Sequence, residues 1–325
     1  MKRPVLLTLA IIFMVASLAT LGILIASLTG KINVGGFFRA GFSDIATGEL
    51  IKEETFDASS LSELNISTQD QKIEIILTDD DFITVSQYDG AVAEPFSTAE
   101  TSDELRIALG SKFRITVFNA IISRLEIHLP RSYAGDVTAV TSSGGITCDD
   151  AVTWSDAAAE SRSGSVRIAD IACSSLTVSS SSGAIRVGGI ASGGAVNLES
   201  TSGSIRAEGA VHCDELRVET LSGSVSLADV SSSAGAVITT ASGSIRAGDI
   251  SAQSYSVRPS SGSVRLTMGG MKNLAFEISS NSGSLRTGGY EFMYDASGRR
   301  GVYTVGDGSA GTLSVKTTSG AISID

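Results

Sequence analysis

The sequence predicts an all-β protein: a single-stranded β-solenoid (β-helix) with coils of about twenty residues, preceded by one N-terminal transmembrane helix. Three observations predict it. A Ser-Gly turn recurs at a near-constant spacing. Apolar residues keep fixed columns on either side of that turn with a period of two, which a helical period of 3.6 would scramble. Val5 to Leu28 runs for 24 residues without a charge.

In chain order, residues 1–4 form a short cytoplasmic end and residues 5–28 the membrane anchor. At 1.5 Å per residue the anchor spans roughly 36 Å, more than the hydrocarbon core of a bilayer. Lys2 and Arg3 precede it, so the positive-inside rule puts the N-terminus in the cytoplasm and the C-terminal domain outside. The apolar run is too long for the core of a cleaved signal peptide, and no small-x-small cleavage site follows. Residues 29–60 read as a juxtamembrane linker with an interfacial pair, Phe37 and Phe38.

Residues 61–325 read as the extracytoplasmic solenoid. Over 61–140 the coils are irregular, built from short alternating strands such as "LNISTQDQKIEIIL" and "RLEIHLP". Asp79–Asp81 reads as a solvated hairpin turn, because one acidic turn lacks the spaced oxygens of a calcium loop. Aligning Ile66 with the inward column places Gln71 at the turn position and Ile73 and Ile75 in the columns that follow.

Over 141–289 the coils are regular. The turn glycines are Gly144, Gly164, Gly183, Gly203, Gly223, Gly243, Gly262 and Gly283, with Gly320 closing the series. A period near twenty is the mark of a solenoid, each repeat stacking on the next. Two residues after each glycine stands Ile146, Val166, Ile185, Ile205, Val225, Ile245, Val264, Leu285 or Ile322. With the apolar columns four after and five before, each repeat is expected to carry two strands facing one interior. Glycine suits the stacked turn because it tolerates φ > 0 and has no Cβ to meet the copy above. The step to Gly320 is long, and 290–306 reads as a hairpin around Asp295–Gly298. Its Tyr290, Phe292, Tyr294 and Tyr303 are expected either to cap the open core or to form an aromatic binding patch.

The opening "LNISTQDQKIEIILTDDDFITV", the "RLEIHLPRSYAGDVTAVTSSGGI" passage, the serial "SGSIR" coils and the closing "GDGSAGTLSVKTTSGAISID" resemble the bacterial β-strand-repeat family known as "putative adhesins", over roughly 61–325. The resemblance implies a membrane-anchored or envelope-associated protein, some members being linked to envelope-stress signalling. It implies no catalytic residue.

The formal net charge of −11 argues against nucleic acid, whose phosphates need a basic face. With only His128 and His212, no Cys-x-x-Cys and no Cys/His cluster, neither a zinc site nor histidine catalysis is expected, and no cofactor either. Acidic residues stand in regular columns, not in the irregular cluster a hydrolase cleft needs. Cys173 and Cys213 share a column two coils apart, about 9.6 Å, too far for a disulfide. Arg167, Arg186, Arg206, Arg246, Arg265 and Arg286 form an outward column three after the glycine. Asp150, Asp170, Glu208, Asp229 and Asp249 stand nearby. Either the two sets pair as a ladder, or the arginines offer a strip for anionic polymers such as wall teichoic acids, or for phospholipid headgroups. Beyond the bilayer itself, the expected partners are a cell-wall polymer or a membrane signalling protein. The function expected is a non-enzymatic scaffold for adhesion or binding at the cell surface, the alternative being an accessory of envelope-stress signalling.

Overall fold

A computed structural model of the chain describes residues 48–89, 94–110, 123–267, 273–309 and 311–325. The anchor expected over 5–28 and most of the linker lie outside the described residues. Among the described residues, no helix is long and apolar enough to cross a membrane.

The repeating unit is clearest around Gly183. Ser175–Ser180 enters the turn, Ile185–Val187 leaves it, and Ile190–Ser192 turns the corner toward the next coil. A coil therefore has three short strands, not two. The Gly188-Gly189 corner splits what the sequence pattern reads as one strand. In Val211–Thr220 and Val230–Thr240 the corner strand runs straight into the next entering strand, with a register shift between Cys213 and Glu215. Successive coils pair in parallel and in register: Val166 lies against Ile185, Ile185 against Ile205, Ile205 against Val225 and Val225 against Ile245. Stacking by hydrogen bonds fixes the rise at about 4.8 Å per coil. The inward columns are buried up to the outermost coil, where Leu285 and Thr287 are partly exposed, and a further column, Leu176–Val196–Leu216–Ala236–Tyr255, lies beside them.

The turn glycines are required by close approach and not by backbone conformation, since none of them has a positive φ. A Cβ on Gly164, Gly183, Gly203, Gly223 or Gly243 would run into the carbonyl of the glycine one coil below, and one on Gly144 into that of Gln71. Gln71 does occupy the turn position. The turns are held from inside by a hydroxyl three residues before the glycine on every coil but that of Gly262, where Pro259 takes the position. Ser161 Oγ accepts from Gly164 N (2.8 Å) and donates to Gly144 O (2.9 Å). Ser180, Thr220, Thr240 and Ser280 repeat both bonds. These hydroxyls are buried, and each satisfies two backbone groups that would otherwise stand unpaired away from water.

Chain order and stacking order part company at both ends. Glu63–Thr68 pairs with Glu104–Leu109 on one side and Asp136–Thr141 on the other. Lys72–Thr78 likewise sits between Arg124–Pro130 and Ile146–Cys148. The coil of 63–78, first in the chain and expected to begin the solenoid, is thus an interior level. Glu49–Asp57, expected as linker, is a strand, antiparallel to Phe82–Asp89, which in turn runs antiparallel to Arg124–Pro130. Asp79–Asp81 is accordingly not a hairpin turn, because Arg124–Pro130 separates the two strands it joins. With Phe96 buried under the Lys52 ammonium (4.3 Å from the ring centroid), these antiparallel strands close the N-terminal end.

At the C-terminal end, Gly311–Thr317 and Ile322–Ile324 insert between the coil of Ser254–Pro259 and Val264–Leu266 and the coil of Leu274–Ser280 and Leu285–Arg286. The hairpin of Met293–Tyr294 and Arg300–Thr304 then adds antiparallel to Leu274–Ser280. Its turn is the one expected: Gly298 N donates to Asp295 O (3.0 Å), and Arg299 N to the Asp295 carboxylate (3.0 Å).

Candidate binding surface

The strand leaving each turn alternates an inward aliphatic residue with an outward one, so position three after the glycine faces solvent on every coil. The ladder places Thr147, Arg167, Arg186, Arg206, Ser226, Arg246, Arg265, Ser323 and Arg286 in one column. The arginines are exposed. Arg265 and Arg286 are not neighbours, because the C-terminal coil sets Ser323 between them. From Arg167 to Arg286 there are seven steps, about 34 Å.

The ion-pair ladder is not formed. Among the described residues the column makes a single ion pair, Arg265 Nε to Asp325 Oδ2 at 3.7 Å. The acidic residues serve the next corner instead. Asp170 Oδ1 accepts from Gly189 N (2.6 Å), Asp229 Oδ1 accepts from Asp249 N (3.2 Å), and Asp150 pairs with Arg131 (3.7 Å). Inward-pointing Ile168, Val187 or Ala207 stands between the two sets on each strand, so they project from different parts of the coil.

Beside the arginines runs a second outward row, one after the turn glycine on six of the coils: Ser165, Ser204, Ser224, Ser244, Ser263 and Ser284, all exposed. The two rows line a shallow groove of about 480 Å³ over Arg206, Arg246, Arg265 and Arg286. Further toward the N-terminal end the column turns acidic, through Glu74 and Glu126. There Arg124 sits 2.6 Å from Glu126, and Lys72 pairs with Glu74. The strip of free guanidiniums therefore begins at Arg167. It lacks aromatic rings, so it offers charge and hydroxyls and no stacking platform.

The aromatic set belongs to the end cap. Phe292 and Tyr303 stack at 5.1 Å and Tyr290 and Tyr303 at 5.7 Å, over Phe276 of the last coil. Phe292 is buried, while Tyr294 is 44% and Met293 74% exposed. The three cysteines are unpaired. Cys173 and Cys213 lie in one column with Ser192 between them, the two-coil separation the spacing requires. Among the described residues, no group of three His, Cys, Asp or Glu side chains is placed to hold a metal.

The class defined by this geometry is an all-β parallel solenoid, closed at both ends by antiparallel strands and carrying one cationic strip. The chain belongs to the Toastrack DUF4097 family, which matches residues 61–211 and again 191–325. The overlap falls within a continuous stack, with no break in the ladder. Similar solved structures are a "putative adhesin" from Bacteroides fragilis (10% identity, 85% of this chain and 97% of that one, TM-score 0.43) and one from Parabacteroides distasonis (10%, 85% and 97%, 0.36). A "putative cell adhesion protein" from Clostridium sporogenes is similar at 13% identity, over 85% and 99%, with a TM-score of 0.21. No curated protein matches the chain.

Proposed function

We propose that this protein is a non-enzymatic envelope scaffold, anchored in the cell membrane by residues 5–28, whose arginine strip binds an anionic polymer of the cell wall. The observation that carries the reading is a column in which, among the described residues, every arginine but Arg265 lacks an ion pair. Stacking places guanidiniums about 4.8 Å apart at Arg167–Arg186–Arg206 and again at Arg246–Arg265, and like charges at that distance repel unless an external anion screens them. Guanidinium forks take phosphate or carboxylate oxygens two at a time, and the adjacent serine hydroxyls can donate to the same groups. A polymer with an anion on every repeat, lying along the rod, meets several arginines at once and gains by multivalency.

The test is co-sedimentation of the protein with purified wall teichoic acid across a salt series. Wild type is expected to pellet with the polymer at low salt and to be released as salt screens the charges. Arg167→Gln/Arg186→Gln/Arg206→Gln should lose at least tenfold in apparent affinity. Equal binding by the triple variant would sink the strip as the site.

A further inference from the structure

The C-terminal end has a construction that the polymer reading does not use. The outermost coil, Leu274–Arg286, and its hairpin cap do not rest on the coil that precedes them in sequence. They are joined to it through the last fifteen residues, 311–325, which pair in parallel on both sides. The level is exacting about what fills it. Gly320 approaches the Gly262 carbonyl too closely for any Cβ, and Gly283 approaches Gly320 in the same way. Leu313, Val315, Ile322 and Ile324 are fully buried. The segment that meets every one of these demands is this chain's own C-terminus.

We propose that this level is also filled in trans: two copies meet at their aromatic ends and exchange their C-terminal coils, giving a twofold dimer. Each exchanged coil makes the same contacts as in the closed monomer, so exchange costs little beyond the tether. The tether is just long enough. From Thr304 to Gly311, the first residue of the exchanged coil, there are seven Cα steps, a reach of about 23–25 Å when extended. The path from one cap strand over the partner's cap and outer coil to its open level is five strand spacings, about 24 Å. Gly306, Gly308 and Gly311 lie within it at φ of +64°, +72° and +142°, so the tether changes course at residues without a side chain to obstruct it. The meeting face is marked independently. Met293 and Tyr294, on the outermost strand, are among the most exposed large apolar side chains described, and a second cap laid against them removes that surface from water.

The experiment co-expresses two full-length copies with different tags, one carrying Ser256→Cys and the other Ser314→Cys. These residues face each other on adjacent strands, Ser256 opposite Ser314. A short bis-maleimide is added and the 256–314 linkage is located by mass spectrometry. Exchange predicts a species of twice the chain mass carrying both tags, linked through these two cysteines. A single chain bearing both substitutions shows that the level is occupied and the variant folded, because it must link in one arrangement or the other. If that chain links only within itself and the co-expressed pair gives no doubly tagged product, exchange is refuted. A dimer found by mass but lacking the 256–314 linkage between chains refutes it equally. Met293→Asp, which charges the meeting face, should lower the doubly tagged yield at least fivefold.

Discussion

Adding one methyl group to a turn glycine tests the stacking argument directly. In Gly203→Ala the new Cβ would lie 2.6 Å from the Gly183 carbonyl carbon and closer still to its oxygen. Ordinary contact begins near 3.4 Å, so clearing the oxygen requires one coil to move by more than an ångström. It cannot do so alone, because Ile205 is held in register with Ile185 below and Val225 above. Overpacking of this kind costs about 1–3 kcal/mol. The displaced turn also strains two hydrogen bonds, Gly203 N to Ser200 Oγ (2.9 Å) and Thr220 Oγ1 to Gly203 O (3.2 Å), each worth about 1 kcal/mol. The total is about 3–5 kcal/mol, read from the urea midpoint of the purified chain by circular dichroism. The control is Gly193→Ala, where a Cβ meets nothing within 4 Å and φ is not positive. There the smaller entropy of the unfolded chain should leave stability unchanged or raised by up to about 1 kcal/mol. If Gly203→Ala unfolds within about 0.5 kcal/mol of wild type, the glycines are not demanded by close approach and the account of the repeat fails.

Other outcomes follow from the same structure. Thr220→Val, nearly the same shape, deprives Gly223 N and Gly203 O of their partner and should cost about 2–4 kcal/mol, whereas Thr220→Ser should hold close to wild type; equal melting of the two would remove the hydroxyl ladder as a source of stability. Tyr255 is buried with its hydroxyl unbonded, so Tyr255→Phe should stabilise by about 1 kcal/mol in the same denaturation assay. Burial pushes the thiols of Cys148 and Cys213 up to about 11 from an ordinary value of 9.0. Because the folded state holds the proton longer than the unfolded chain, this contribution is intact below pH 9 and declines as pH rises toward 11. Unfolding midpoints should fall over that window, and Cys148→Ala should fall less steeply than wild type; parallel slopes would assign the alkaline loss elsewhere.

The aliphatic columns, the twenty-residue period and the outward arginines were legible in the chain because alternation within a strand is local: a residue's face follows from its neighbours one and two positions away. The same locality made the Cys173–Cys213 separation readable. The hydroxyls of Ser161, Ser180, Ser200, Thr220 and Thr240 also recur in the sequence, but one of the backbone partners that give them a role lies on the neighbouring coil, which only the fold supplies. What locality cannot supply is which coil lies on which. Nearly identical coils offer nearly identical edges, so sequence order does not dictate stacking order. Only the tertiary structure put 63–78 inside the 104–130 level and 311–325 beneath the cap, and only it left the column arginines, Arg265 apart, without an ion pair among the described residues. Whether Asp170 turns to Arg167 or to Gly189 N depends on the coil above, roughly twenty residues away in the chain and one strand spacing away in space.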